Sequence, residues 1–253
     1  MIKVKTSEEI ALMRISGKIN FDTHELIKSL IKPGITTKKL DQEAASFIKA
    51  NQAKASFKGF QGYPASICTS VNDEVVHGLP TDYVLKTGDV VSVDIGVEYN
   101  GYHTDSARTY IVGVVDKDIE NLITVTEESL HQGIKVIKEG AYLSDISNAI
   151  AAHANKHKLG IVRELVGHGV GAELHEEPSI PNYHRSSKGP KLKAGMTLAI
   201  EPMLNLGSAE VIITDDWPVV TKDGKPSAHF EHTVLVTKDG YEILTENKKL
   251  EAK

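Results

Sequence analysis

A chain of 253 residues with 40% apolar content can bury a sizeable core and lies near the upper end of single-domain size. A formal charge of −5 leaves no basic footprint for nucleic acid, and the single cysteine, Cys68, excludes an intramolecular disulfide or a cysteine-based zinc cluster. The charged start Met1-Ile-Lys-Val-Lys-Thr-Ser-Glu-Glu9 lacks the apolar stretch of a signal peptide, and no run approaches the roughly 18 apolar residues of a membrane span, so a cytoplasmic protein without a membrane partner is expected.

Thr6 with Glu9 makes a capping box ahead of Leu12, Ile15 and Ile19, whose spacing predicts a long helix ending at Pro33-Gly34. Thr37 is expected to cap a second helix reaching about Asn51. Leu85-Lys-Thr-Gly-Asp-Val-Val-Ser-Val-Asp94 reads as a strand entered from a tight turn, and Asn100-Gly101 signals a type I′ hairpin. With those two residues as the loop, Tyr99 faces Tyr102 and Asp105 lies opposite Gly96, on the face that also carries Asp94. The two carboxylates become diagonal neighbours roughly 7 Å apart, with Gly96 leaving the space between them empty. Helices are expected again from Asp116 to Ile137 and from Ser144 to His157.

Leu192-Lys-Ala-Gly-Met-Thr-Leu-Ala-Ile-Glu201 then nearly copies the segment from Leu85 to Asp94, 107 positions further on. A second acid heads an apolar strand later in each half, Asp105 in the first and Glu231 in the second. Helices followed by antiparallel strands, repeated once, argue an α+β fold on an internal pseudo-twofold axis. One domain is expected, with halves at about 7–113 and 116–244 and a tail over 245–253 that is solvated from Glu246 onward.

Each acid alone could be a solvated strand end, or the four could be purely structural. Four repeat-related carboxylates with no alternating Lys or Arg are nevertheless costly to bury without compensation, and divalent metal supplies it. Gly167-His168-Gly169-Val-Gly171 offers a nitrogen ligand in a setting suited to close backbone approach, although a turn histidine would also fit. Asp94, Asp105, His168, Glu201 and Glu231 together suit two divalent ions such as Mn, Fe, Co or Zn. His77 and His175 sit in polar or glycine-containing loops compatible with a surface role. Cys68 lacks a Cys-His-Asn arrangement and reads as a small buried hydrophobe rather than a nucleophile.

These five residues, with Val-Asp-Ile-Gly, Gly-Tyr-His-Thr-Asp, Gly-His-Gly-Val-Gly, Ile-Glu-Pro-Met and Phe-Glu-His-Thr around them, closely resemble the type I methionine aminopeptidases of the bacterial kind, in peptidase family M24. The likeness runs from about Ser7 to Leu244 and includes Gly62-Tyr-Pro-Ala-Ser-Ile-Cys68, Asn72-Asp-Glu-Val-Val-His77-Gly-Leu-Pro80 and Leu174-His175-Glu-Glu-Pro178. The resemblance implies a pita-bread fold, antiparallel sheets covered by helices, and removal of the initiator methionine from nascent proteins with a small second residue. It implies that Asp105 and Glu231 bridge two ions, that Asp94 completes one, and that His168 with Glu201 completes the other. Glu201 would also shuttle protons, His77 and His175 would contact the substrate backbone, and Phe60, Tyr63, Cys68, Leu174 and Trp217 would form the methionine pocket. The partners it implies are N-terminal peptides of nascent proteins, with the ribosome as a further candidate, and a monomer is expected.

Two positions depart from the family pattern. Leu174 stands where relatives often carry an aromatic residue, and His229 where Gln is common, close enough to the ligands to alter metal affinity roughly 10- to 100-fold. The nearest rival enzyme is an aminopeptidase P or prolidase cleaving before proline, which generally carries an extra N-terminal domain. A non-catalytic peptide-binding protein of the same fold would be expected to have lost ligands. The loop from Glu176 to Lys191 is expected to border the substrate entrance.

Overall fold

The computed structural model describes residues 2–247. Helices α1 (Ser7–Leu30) and α2 (Thr37–Ala50) precede strands β1 (Cys68–Val71), β2 (Val90–Tyr99) and β3 (Tyr102–Ile111). Helices α3 (Lys117–Lys135) and α4 (Leu143–Lys156) precede β4 (Gly167–Gly169), β5 (Glu176–Ile180), β6 (Thr197–Ile200), β7 (His232–Val236) and β8 (Tyr241–Ile243). All recorded strand pairs are antiparallel, which together with the helix pairs gives the expected α+β class. No helix among the described residues is long and apolar enough to cross a membrane.

The two halves repeat one plan. In the first, β2 lies between β1 and β3; in the second, the repeated strand β6 lies between β4 and β7, in the sheet order β8-β7-β6-β4-β5. Each helix pair covers its own apolar core. Leu40, Ala44 and Ile48 of α2 pack with Val91, Val93, Ile95 and Val97 of β2, while Leu130, Ile134, Ile146 and Ile150 of α3 and α4 pack with Leu198, Ile200, Val234 and Val236.

The β2–β3 hairpin has the predicted register, with Tyr99 opposite Tyr102 and Gly96 opposite Asp105. Asn100 and Gly101 take φ of 49° and 85°, the left-handed conformation a type I′ turn demands at both positions.

Helix α1 starts at the predicted capping box, in which the Glu9 N–H donates to Thr6 Oγ1 and the Thr6 N–H to the Glu9 carboxylate. Its buried face differs from the apolar spacing: Ile15 is 43% exposed, and Met13, Ser16, Gly17, Asn20, His24 and Ile27 point inward. The polar members are spent on strand carbonyls. Ser16 Oγ donates to the Val97 C=O at 2.8 Å, Asn20 Nδ2 to the Ile95 C=O at 2.5 Å, and His24 Nε2 to the Ser106 C=O at 3.0 Å. Gly17 is required because a Cβ there would run into the Leu244 carbonyl. Two smaller differences follow from side-chain hydrogen bonds and packing: Thr36 rather than Thr37 caps α2 by accepting from the Lys39 N–H, and Thr245, placed in the tail by sequence, is buried and bonded to His232. The expected tail lies mostly outside the described residues.

The halves meet where β3 runs beside the segment from His229 to Thr233. Between β3 and that segment, among the described residues, one mutual backbone pair forms: the Glu231 N–H donates to the Ala107 C=O at 2.9 Å and the Ala107 N–H to the Glu231 C=O at 3.3 Å. His232 is buried at this seam with Nδ1 2.9 Å from Thr245 Oγ1, and burial, then the Arg108 charge, pushes its pKa down to about 3. An unfolded histidine titrates near 6.5. Between that value and about 3 the unfolded chain binds a proton the folded chain refuses, so stability falls as pH drops through the window. We expect His232→Asn to make this loss shallower by up to about 1.4 kcal/mol per pH unit, measured by urea unfolding at steps from pH 7 to 4. Parallel stability curves for parent and variant would show that His232 is charged in the fold.

Candidate metal centre and active site

The register of β1, β2 and β3 delivers three side chains to one face. Cys68 pairs directly across from Asp94, and Asp105 sits opposite Gly96, two residues along the strand from Asp94. From the other half, Glu201 follows the end of β6, Glu231 precedes β7, and His168 occupies the middle of β4 opposite Ala199. The glycines flanking His168 are needed for close approach, since a Cβ on Gly167 would strike the Ala199 carbonyl and one on Gly169 the Glu177 carbonyl. His168 Nδ1 lies 2.8 Å from the Gly169 carbonyl, which only accepts, so the neutral ring carries its proton there and leaves Nε2 as a free lone pair.

These groups open onto a cavity of about 290 Å³. Ligand atoms of Asp105, His168 and Glu231 lie within 4.8 Å of one another, and His168 Nε2 is 3.5 Å from Glu201 Oε1. Burial raises all four acids, and repulsion from neighbouring carboxylates adds to it at Asp105, Glu201 and Glu231. Asp94 is pushed up to about 7, while Glu231 and Asp94 raise Asp105 further and Asp94 and Asp105 raise Glu201 further. Burial, and after it His175, takes His168 down to about 3, so it is a neutral imidazole. Asp94 Oδ1, Asp105 Oδ1 and Glu231 Oε1 are buried without a hydrogen-bond partner, and among the described residues no Lys or Arg lines the cavity. A donor set of orphaned carboxylate oxygens and one neutral imidazole fits divalent cations and fits little else.

The apolar end of the cavity adjoins the acids through the Cys68–Asp94 pair. Phe57, Tyr63, Cys68 and Leu174 form a buried cluster bordered by Phe60 and Trp217. Tyr63 meets Trp217 edge to face at 5.1 Å, and its hydroxyl donates to the Gly78 C=O at 2.9 Å. The His175 ring sits between the two ends, edge-on to His168 at 4.1 Å and to Phe60 at 5.1 Å. Burial keeps His77 and His175 below the ordinary histidine range, so both are neutral and each has one N–H to give.

All twelve residues proposed from sequence line this one cavity: His77, Asp94, Asp105, His168, His175, Glu201 and Glu231, with Phe60, Tyr63, Cys68, Leu174 and Trp217. The empty space expected beside Gly96 is filled instead, because a Cβ there would lie 2.8 Å from both the Phe57 ring and Ser56 Cβ. Phe57 is thus a lining residue that sequence reasoning missed, and a glycine facing an acid across a hairpin was its one signal. Backbone strain is a further feature of the site that the sequence did not signal: Gln61, His77 and Trp217 line the cavity with φ of 48°, 61° and 80°, a region non-glycine residues occupy only where surroundings impose it. The expected entrance segment begins as strand β5 rather than as a loop, and its Ser179 reaches the cavity. His229 Nε2, buried without a hydrogen-bond partner, lies 3.8 Å from Glu201 Oε2.

The model of metallopeptidase family M24 matches residues 11–238. Methionine aminopeptidase 1 of Bacillus subtilis is 54% identical over 97% of this chain and 99% of that protein, and the Clostridium perfringens methionine aminopeptidase is 51% identical over the same shares. Among solved structures, the methionine aminopeptidase of Thermotoga maritima superposes with a TM-score of 0.96 at 45% identity, covering 98% of this chain and 100% of that one. Prolidase from Pyrococcus furiosus shares the fold with a TM-score of 0.79 at 23% identity, but the match spans 97% of this chain and only 66% of the prolidase. Fold, full-length identity and the matched family model agree, and the chain belongs to metallopeptidase family M24, within it to the type I methionine aminopeptidases.

Proposed function

We propose that this chain is a metal-dependent hydrolase that removes the initiator methionine from nascent proteins whose second residue is small, its two halves acting as one catalytic unit. The observation that carries the reading is a single cavity with an acid and imidazole cluster at one end and a sulfur-lined apolar pocket at the other, joined by the adjacent Cys68 and Asp94. An unbranched thioether suits the aromatic edges of Phe60, Tyr63 and Trp217 and the Cys68 sulfur. The cytoplasm, where nascent chains emerge, is the compartment this substrate implies.

Asp94, Asp105, His168, Glu201 and Glu231 would hold two divalent ions; these donors accept Mn, Fe, Co or Zn. Divalent ions held there would polarise the scissile carbonyl and make water a nucleophile near neutral pH. Glu201 receives a proton from the attacking water and returns it to the leaving amine. His77 and His175, neutral and facing the cavity, donate N–H groups to the scissile carbonyl oxygen and the substrate backbone as negative charge grows there. Cys68 takes no chemical part, because burial, with the Asp94 charge behind it, holds its thiol well above the ordinary range.

Chelator-treated protein should lose release of methionine from a peptide beginning Met-Ala and regain it with Co or Mn, with Met-Lys cleaved more slowly and Ala-Pro not at all. Full activity in metal-free protein, or preference for Ala-Pro, would defeat the proposal. Glu201→Gln should lower kcat by about 10²- to 10⁴-fold with KM little changed, the signature of a lost proton carrier. Undiminished turnover in that variant would move the proton-transfer role elsewhere. Cys68→Ala should keep turnover and raise KM for methionyl peptides; a collapse of kcat instead would point to thiol chemistry.

A further inference from the structure

Among the described residues, the two strands that meet at the seam are joined by backbone hydrogen bonds at one pair only, Ala107 with Glu231. Two residues to either side, a threonine hydroxyl stands where the ladder would continue. Thr233 Oγ1 accepts from the Asp105 N–H and donates to the Asp105 C=O, both at 2.8 Å. Thr109 Oγ1 accepts from the His229 N–H and donates to the His229 C=O, both at 2.9 Å. Thr233 is fully buried and Asp105 nearly so, so water does not replace either bond. The Thr233 backbone is held in turn, its N–H donating to Thr245 Oγ1 and its C=O accepting from the Leu244 N–H.

Each hydroxyl answers both backbone groups of the residue it faces, though Thr109 Oγ1 also lies 2.8 Å from Ser92 Oγ, and the two differ in what they hold. Thr109 fixes the backbone of His229, which is not among the five proposed ligands, whereas Thr233 fixes the backbone of Asp105 from the opposite half. We propose that Thr233 is a positioning residue for Asp105: its hydroxyl sets the separation between the carboxylates that the two halves contribute, and so the fit of the centre to its cations. This rests on the reading of Asp105 as a metal ligand. A hydroxyl suits the place because one oxygen both accepts and donates, answering the two backbone groups of Asp105 at once. Valine fills the same volume and answers neither.

The test compares Thr233→Val, Thr233→Ser and Thr109→Val with the parent, each stripped of metal and titrated with Co²⁺, reading the visible absorption of the bound ion and the heat of binding. Thr233→Val should weaken Co²⁺ affinity by roughly 10- to 100-fold and alter the absorption, as loss of a group orienting a ligand does. Thr233→Ser should restore both. Thr109→Val, which leaves an equivalent pair of backbone groups and the Ser92 hydroxyl unanswered, should lose at least as much thermal stability while keeping Co²⁺ affinity near that of the parent. Parent-like affinity in Thr233→Val, or an equal loss in Thr109→Val, would overturn the proposal and leave a seam contact of stability alone. Asp105→Asn separates the two failures: if it takes up Co²⁺ as the parent does, the ligand reading itself falls.

Discussion

Four carboxylates facing one cavity, with no basic side chain among them, are the constraint around which the rest of the molecule is arranged. Burying each ionised acid costs several kcal/mol, and their mutual repulsion adds to that cost, so the strands carrying them are pushed apart whenever no cation compensates. Local structure cannot hold such strands together. The repulsion is instead opposed from behind, by an apolar core in each half and by polar side chains of α1 that grip the carbonyls of Ile95, Val97 and Ser106. A purely apolar helix face would bury more hydrophobic area, yet it would let the hairpin slide; hydrogen bonds to named carbonyls fix it in position.

Repetition supplies the acids and departures from repetition supply the specificity. Strands β2 and β6 are equivalent in sequence and place, each flanked by an earlier and a later strand. Strand β3 follows β2 through a two-residue turn, whereas β7 follows β6 only after some thirty residues, a stretch that holds the short strands Met203–Asn205, Val211–Ile213, Val219–Thr221 and Ser227–His229. That extra chain brings Trp217 to the cavity in a strained backbone conformation and His229 to Glu201. One half builds a rigid hairpin wall; the other, given the same plan, spends its additional length on lining a pocket.

Legibility in the sequence followed the physics of each element. The hairpin register could be computed because a two-residue turn and a period of two leave no freedom, so Asp94, Asp105 and Gly96 were placed correctly on one face. The inward face of α1 could not be read, because Ser16, Asn20 and His24 look like solvent-facing residues until the carbonyls they bind are in place. Gly96 was rightly marked as making room but wrongly as leaving it empty: what enters is Phe57, which precedes β2 by more than thirty residues, and no local pattern relates the two. The ligand set needed the repeat and the family likeness together, since each acid alone is indistinguishable from a solvated strand end. The strained residues Gln61, His77 and Trp217 gave no sequence signal, because positive φ outside glycine is imposed by tertiary packing.

His229 shows how a single departure acts through the arrangement of the acids. Its backbone is pinned across the seam by Thr109 and its ring is fully enclosed, so Nε2 has a fixed approach to Glu201. Burial, followed by the neighbouring His77, takes this imidazole down to about 3, which keeps it uncharged near neutral pH. It therefore cannot offset the negative charge of the four acids, and the demand for cations is undiminished by its presence. What a neutral ring can offer is one N–H or one lone pair, according to tautomer, to the carboxylate proposed to carry protons. The His229 side chain thus bears on the basicity of Glu201 rather than on the charge balance of the four acids.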